Sequence, residues 1–303
     1  MTCLSTSREG QSADRSSPLR AFDGGWAFSQ RFWGINNLLG RVPASSIVAA
    51  VRDPAKAADL AARGVQVRQA DYTQPDSLDT ALAGADKLLL ISSSAIGQRV
   101  AQHRAVIDAA VRQGLKLVAY TSILHADTSP LGLALEHKET EAMLKASGLA
   151  QLVLRNGWYT ENYTASVPAA LAHGVLLGSA GDGRIASAAR ADYAAAAAAV
   201  MASDGHEGRV YELAGDTAYT LADLAGEIAR RSGKAVTYQN LPQADYAAAL
   251  AGFGLPAVIA DMLADSDVGA SRGGLFDGDR QLSRLVGRPT TLMRETVAAA
   301  LRG

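Results

Sequence analysis

From Ser46 onward, short apolar runs alternate with stretches whose apolar residues recur at helical spacing. Ile47-Val48-Ala49-Ala50-Val51 reads as a buried strand, and Asp53-Pro54 opens a capped helix over residues 55–63. Residues 65–69 form the next expected strand, and Asp76 is placed to cap a helix ending at Leu82. Leu88-Leu89-Leu90-Ile91 is apolar throughout, as a strand covered on both faces must be. A helix over 99–112, a strand over 115–119, a helix over 135–146 ended by Gly148, and the strand Leu152-Val153-Leu154 complete the series. This alternation predicts an α/β protein with a doubly wound, Rossmann-type parallel sheet that takes ligands at the carboxyl ends of its strands.

After Asn156 the alternation loosens. Strands are expected at 174–177 and 209–213, helices at 191–202, 221–231, 244–251 and 291–301, and a Gly-rich loop at 269–278. The domain plan is thus an atypical, disordered stretch over 1–19 and a nucleotide-binding domain over 20–155. Residues 156–303 are expected mainly to form a smaller C-terminal substrate lobe closing over the first, with some segments returning to it.

Composition narrows the classes. The 303 residues carry 29 Lys+Arg against 30 Asp+Glu, and no basic run interleaved with aromatics appears, so nucleic acid is not an expected partner. Cys3 stands alone and can form neither an internal disulfide nor a thiolate cluster, and the cytoplasm is the expected compartment. No apolar run approaches the roughly 20 residues of a membrane span, and the Ser-rich start, broken by Arg8, Glu9, Asp14 and Arg15, lacks the apolar core of a secretory signal.

Candidate chemistry sits where the strands end. Arg52 follows the Ile47 strand, where an acidic residue would take ribose hydroxyls and an Arg accommodates a 2′-phosphate; this favours NADPH over NADH. The plainer alternative is a surface Arg beside a helix capped by Asp53. Ser92, Ser93 and Ser94 place three hydroxyls at one strand mouth and Tyr120-Thr121-Ser122 at the next, although such clusters also serve as turn formers and caps. Asn156-Gly157-Trp158-Tyr159 continues through Thr160, Glu161 and Asn162; Gly157 allows close backbone approach, and either aromatic ring suits a flat ligand or simple packing. His137 falls in a charged helix face and reads as solvated, while His103, His173 and His206 are scattered, so no metal is expected. His125 alone follows a strand mouth. No Tyr has a Lys four residues later and there is no G-x-S-x-G turn, so an acceptor needing little acid help, such as a quinone, suits the site better than a ketone or an ester.

The residues at 42–45, 51–56, 69–72, 90–94, 120–122, 125–130, 155–159, 264–271 and 287–291 together resemble the NmrA-like branch of the atypical short-chain dehydrogenases, in its quinone-reductase group. The resemblance runs from about Ile35 to the C-terminus. It implies NADPH as cofactor, with no flavin and no metal, a small quinone as substrate, and hydride passed directly to give the hydroquinone. It places Arg52 at the 2′-phosphate, and it puts Asp71, Ser92, Ser93, Ser94, Arg190 and the stretch from Asn156 to Asn162 around the cofactor. For orienting the acceptor the candidates are Tyr120, His125 and Trp158, as hydrogen-bond donors or a stacking face. A homodimer is a possible assembly.

One stretch departs from that pattern. The family's T-G-A-T-G-x-L-G turn holds the pyrophosphate on backbone amides and a helix N-terminus. Here only Gly25 falls on a family glycine, and Phe28 and Arg31 take the places of the second and third. Residues 21–27 also make a poor central strand, with Asp23, Gly24 and Gly25 where β-branched residues belong. The stretch up to about Gly34 reads as translated from another reading frame, or from a misplaced start followed by a frameshift; true divergence with lost cofactor binding is the alternative. Three functions therefore stand open: a quinone reductase, a redox sensor that binds NADP(H) without turnover, and a defective member that does neither.

Overall fold

The computed structural model describes residues 2–4, 19–22 and 28–302, with side-chain environments from residue 34 onward. In chain order the strands are β1 (Thr2–Leu4), β2 (Leu19–Phe22), β3 (Ile47–Val51), β4 (Gln66–Gln69), β5 (Lys87–Ile91), β6 (Leu117–Ile123), β7 (Ala150–Asn156), β8 (Val175–Gly178), β9 (Val210–Leu213) and β10 (Thr237–Asn240). The first eight helices are α1 (Phe28–Leu39), α2 (Ala58–Ala62), α3 (Pro75–Leu82), α4 (Arg99–Arg112), α5 (Ala134–Ala146), α6 (Thr160–Thr164), α7 (Val167–His173) and α8 (Arg190–Met201). They are followed by α9 (Leu221–Ser232), α10 (Gln243–Gly252), α11 (Ala257–Ser271), α12 (Gln281–Val286) and α13 (Met293–Ala300).

One compact unit comprises Met1–Ser122, Glu136–Arg155 and Ala194–Tyr211. Its sheet has the order β4-β3-β1-β2-β5-β6-β7-β9. β2 runs parallel to both β3 and β5, with Leu19 opposite Ile47 and Arg20 opposite Leu88, while β1 pairs antiparallel in the same central position. β3 is parallel to β4, and β5 to β6. Every residue of β3 and β5 is buried, which accounts for the apolar runs at 47–51 and 88–91, while Lys87 at the start of β5 pairs with Asp204 at 3.3 Å. The core joins Leu78 and Leu82 of α3, Val106 and Ile107 of α4, and Leu88 and Leu90 of β5.

The parallel sheet agrees with the alternation in the sequence, and several boundaries differ. Asp53 accepts from the Ala55 amide at 3.1 Å, but this local bond closes a 3₁₀ turn over Pro54–Ala57 ahead of a short α2 rather than one continuous helix. Asp76 lies in the first turn of α3 and not at its cap, because Pro75 already opens the helix after Gln74. β6 extends to Ile123, so Tyr120, Thr121 and Ser122 lie inside the strand and not beyond its end. Thr2–Leu4, within the stretch expected to be disordered, is a strand, and a second strand, Leu19–Phe22, begins at the end of that stretch.

The second unit comprises Ile123–Leu135, Asn156–Tyr193 and Glu212–Gly303. It carries the parallel pair β8 and β10, with Val175 opposite Thr237 and Gly178 opposite Asn240. Trp158, Tyr163, Leu176, Leu221, Leu224 and Ile228 share its main core. Thr220 and Asp223 cap α9 reciprocally, and Gly233 ends it in a left-handed conformation at φ 69°. α11 replaces the first part of the loop expected at 269–278. Its buried face is built from Ala260, Ala264, Asp267 and Ala270, too small and polar to produce apolar periodicity. Among the described residues no helix is long and apolar enough to cross a membrane.

Candidate functional site

In the first unit, the strand ends place the sequence candidates as follows. Arg52 directly follows β3 and is exposed. Asp71, two residues past β4, is half-buried and turned onto Thr73, accepting from its amide at 2.9 Å and its hydroxyl at 2.8 Å. The Ser92 amide donates to Thr121 Oγ1 at 2.9 Å, pinning the end of β5 to β6. The Ser93 amide donates to His103 Nε2 at 2.9 Å, its carbonyl accepts from Arg99 Nε at 2.7 Å, and its hydroxyl bonds Gln102 Oε1. Ser94 is half-buried. Gly25 lies outside the described residues, and Phe28 and Arg31 fall in α1.

Behind this mouth lies a buried cluster that the sequence did not reveal. His103 is fully buried and His137 is 5% exposed, which corrects the reading of His137 as a solvated residue on a charged helix face. The chain Glu136-His137-Lys138-Glu139 looks exposed in one dimension, but α5 turns its His137 edge onto β6. Tyr120, completely buried, stands 2.7 Å from His137 Nδ1 through its hydroxyl, and its ring packs edge-on to His103 with centroids 5.3 Å apart. Burial and the nearby Arg99 charge hold His103 down at about 3 and His137 well below the ordinary histidine range. Burial likewise pushes the Tyr120 hydroxyl upward. Arg99, itself 4% exposed, pairs with Glu136 Oε2 at 2.9 Å, and Glu136 Oε1 accepts from the Gly97 amide at 3.1 Å.

In the second unit, the segment after β7 folds on itself. Trp158 is 6% exposed; its carbonyl accepts from the Tyr193 hydroxyl at 3.2 Å, while its indole Nε1 is buried without a hydrogen-bond partner among the described residues. Asn156 is alike: Nδ2 donates to the Tyr159 hydroxyl at 3.4 Å, and Oδ1 is buried with no hydrogen-bond partner among the described residues. Gly157 needs to be glycine for packing, since a Cβ there would stand 2.9 Å from the Leu213 carbonyl and 3.1 Å from the Tyr193 hydroxyl. Thr160 is buried and shares a 2.8 Å hydroxyl contact with Ser187. Arg190 gathers the rest: its amide donates to both oxygens of Glu161, its guanidinium donates to Asn162 Oδ1 at 2.9 Å, and it lies 5.4 Å from the Tyr159 ring centroid. Burial raises the Glu161 carboxyl.

His125 belongs to this unit as well. It takes a left-handed backbone at φ 51°, a costly conformation for a residue with a side chain. The amide of His125 donates to Glu212 Oε2 at 2.8 Å. The ring lies between two carboxylates, with Nδ1 3.6 Å from Glu212 and Nε2 3.4 Å from Asp277, and a third of the side chain is exposed. Neither Glu212 nor Asp277 carries a sequence motif; their approach to His125 comes from the fold alone. Among the described residues no group of three or more His, Cys, Asp or Glu side chains is arranged to hold a metal ion.

A doubly wound sheet with β2 in its central position, Arg52 at the next strand's end and a tied-down mouth after β5 defines a dinucleotide-binding protein. The NAD(P)H-binding family profile matches residues 35–204. Quinone oxidoreductase 2 of Escherichia coli (strain K12) is 65% identical over 264 residues, covering 87% of this chain and 92% of that one. The crystal structure of the NADPH-dependent quinone oxidoreductase QOR2 of Escherichia coli, complexed with NADPH, superposes with a TM-score of 0.89 at 62% identity, covering 93% of this chain and 99% of the other. The NAD(P)H azoreductase of Xenophilus azovorans is 30% identical over 216 residues, 71% of this chain and 75% of its own. The chain thus belongs to the NAD(P)H-binding family, in its NmrA-like quinone oxidoreductase 2 branch.

Proposed function

We propose that the protein reduces quinones to hydroquinones by two electrons, taking a hydride from NADPH and passing it directly to the quinone without flavin or metal. The observation that carries this reading is Arg52 at the exposed end of β3, beside the central strand, in a chain 65% identical to quinone oxidoreductase 2. An Arg in that position matches a 2′-phosphate in charge and geometry. The buried Asn156 Oδ1 and Trp158 Nε1, without partners among the described residues, fit a bound group as well, because an acceptor and a donor removed from water without partners gain from a ligand that satisfies them.

When bound, NADPH supplies the hydride, and one proton from solvent completes the hydroquinone. The protein binds and orients. Arg52 takes the 2′-phosphate, Asp71 and Ser92 to Ser94 line the cofactor, and Asn156 to Asn162 with Arg190 shape the remainder. Of the three acceptor-orienting candidates, His125 is assigned the polar contact, since its ring is held by Glu212 and Asp277 yet stays a third exposed. Trp158 offers the ring face, and Tyr120, sealed against His137, acts by support. Residues 156–303 are assigned chiefly to the quinone.

The test is titration of the 303-residue chain with NADPH and NADH, followed by turnover with a benzoquinone. Binding that prefers NADPH, loss of that preference in Arg52→Ala, and oxidation of NADPH on adding quinone are expected. Binding without turnover would make the protein a sensor, and a folded chain that binds neither nucleotide would overturn the reading.

A further inference from the structure

At the mouth after β5, where a strand end must hold a fixed backbone shape, both backbone groups of Ser93 bond to side chains. Ser93 is 3% exposed, so its amide needs an acceptor, and that acceptor is His103 Nε2 at 2.9 Å. The other ring nitrogen, Nδ1, lies 3.0 Å from Thr140 Oγ1, whose own proton goes to the Glu136 carbonyl at 2.8 Å. Thr140 has therefore spent its hydrogen and can only accept from His103. The two contacts fix the ring as the neutral tautomer with the proton on Nδ1. From the opposite side Arg99 Nε donates to the Ser93 carbonyl at 2.7 Å while its guanidinium pairs with Glu136, which also accepts from Gly97.

We infer that His103 is a positioning residue for NADPH: held by Thr140 of α5, it fixes the Ser93 peptide and with it the shape of the mouth from Ser92 to Gly97 that receives the cofactor. This inference rests on the proposed function for its ligand and on the hydrogen-bond chain for its mechanism. Among the described residues no other acceptor takes the Ser93 amide, and the amide and carbonyl of Ser93 go to two side chains of one helix, α4, each backed by α5, with the Ser92 hydroxyl a longer second donor to the carbonyl at 3.4 Å. Removing the ring leaves a buried donor unsatisfied, and the peptide must turn to find water or a new partner. His103 does not touch the reacting atoms, so its loss weakens cofactor binding and leaves the chemical step nearly intact.

The experiment compares the parent with His103→Leu and His103→Gln, the second able to offer the Ser93 amide an oxygen. His103→Leu is expected to raise the Kd and KM for NADPH by roughly tenfold, with kcat changed by less than about twofold, and His103→Gln to recover most of the affinity. Equal NADPH affinity in parent and His103→Leu, or a loss confined to kcat, would overturn the inference. The clamp is read without cofactor by hydrogen exchange of the Ser93 amide, slow in the parent and in His103→Gln and fast in His103→Leu; equal exchange in all three would overturn it. A parent that binds no NADPH strikes the proposed function instead, and the exchange measurement still decides the clamp.

Discussion

The hydroxyl of Tyr120 and Nδ1 of His137 stand 2.7 Å apart in a fully buried contact between β6 and α5. Both groups are held far from charging by the same cause, loss of water around them, which lowers the imidazole and raises the phenol. The pair thus behaves as a neutral hydrogen bond and not as a proton store. Tyr120→Phe leaves His137 Nδ1 buried without a partner and is expected to cost about 1–3 kcal/mol of stability. Quinone turnover should stay within about threefold of the parent, because the pair is buried away from any bound acceptor. Urea denaturation and steady-state kinetics on the same variant check both; normal stability with lost kcat would place Tyr120 at the chemistry.

Acid stability follows from the same cluster. His103 is held at about 3 in the fold and returns to the ordinary range near 6.5 when the chain unfolds. A histidine lowered in the fold contributes stability that is complete above the unfolded value and is lost as pH falls from there toward the folded one. His137 acts in the same direction. Stability should therefore drop by up to about 1.4 kcal/mol per pH unit for each histidine below about pH 6.5. His103→Gln should flatten the slope, which urea midpoints measured from neutral to mildly acid pH will show.

In the second unit a carboxyl acts with the opposite sign. Asp267 is 2% exposed, accepts from the Tyr163 hydroxyl and the Ser179 amide at 2.9 Å each, and is pushed up to about 6 by burial, the two hydrogen bonds only partly offsetting it. Because the folded value lies above the unfolded one, this group favours the fold when protonated, and its contribution is lost as pH rises from about 4 to about 6. The loss amounts to about 3 kcal/mol as an order of magnitude. Asp267→Asn cannot titrate, so the stability difference between parent and variant should move toward the variant across that window. A difference constant with pH would show that Asp267 is already ionised in the fold.

Much of the fold is legible because buried strands must be apolar on both faces: β3 and β5 stand out from composition alone. Arg52 and the three serines could be placed because they follow those runs directly. α11 was hidden, since its buried face is Ala260, Ala264, Asp267 and Ala270 and carries little apolar signal. The histidine cluster was hidden for another reason. His103, Tyr120 and His137 lie on α4, β6 and α5, and nothing in a linear sequence says that Glu136 and Lys138 flank a side chain pointing inward. Glu212 and Asp277 beside His125 are likewise brought together only by the fold.

The stretch between β2 and α1 is expected to set how well the cofactor is held. β2 enters parallel between β3 and β5, as the first strand of a dinucleotide-binding sheet does, and α1 begins at Phe28. In such folds the pyrophosphate lies on backbone amides at the turn after the first strand and on the first turn of the helix, and glycines let it come close. With Gly25 on the first family position, Phe28 and Arg31 stand at the second and third, inside α1. By the family pattern, residues other than glycine at those two positions are expected to weaken the hold on the pyrophosphate. The double substitution Phe28→Gly and Arg31→Gly should tighten NADPH binding by about tenfold or more, although two glycines in the helix cost about 1 kcal/mol each in helix stability. Calorimetric titration of both chains at one temperature measures the change. Unaltered affinity in a folded double variant would mean that the pyrophosphate is not held by this stretch, and that Arg52 and the mouth after β5 carry the nucleotide without it.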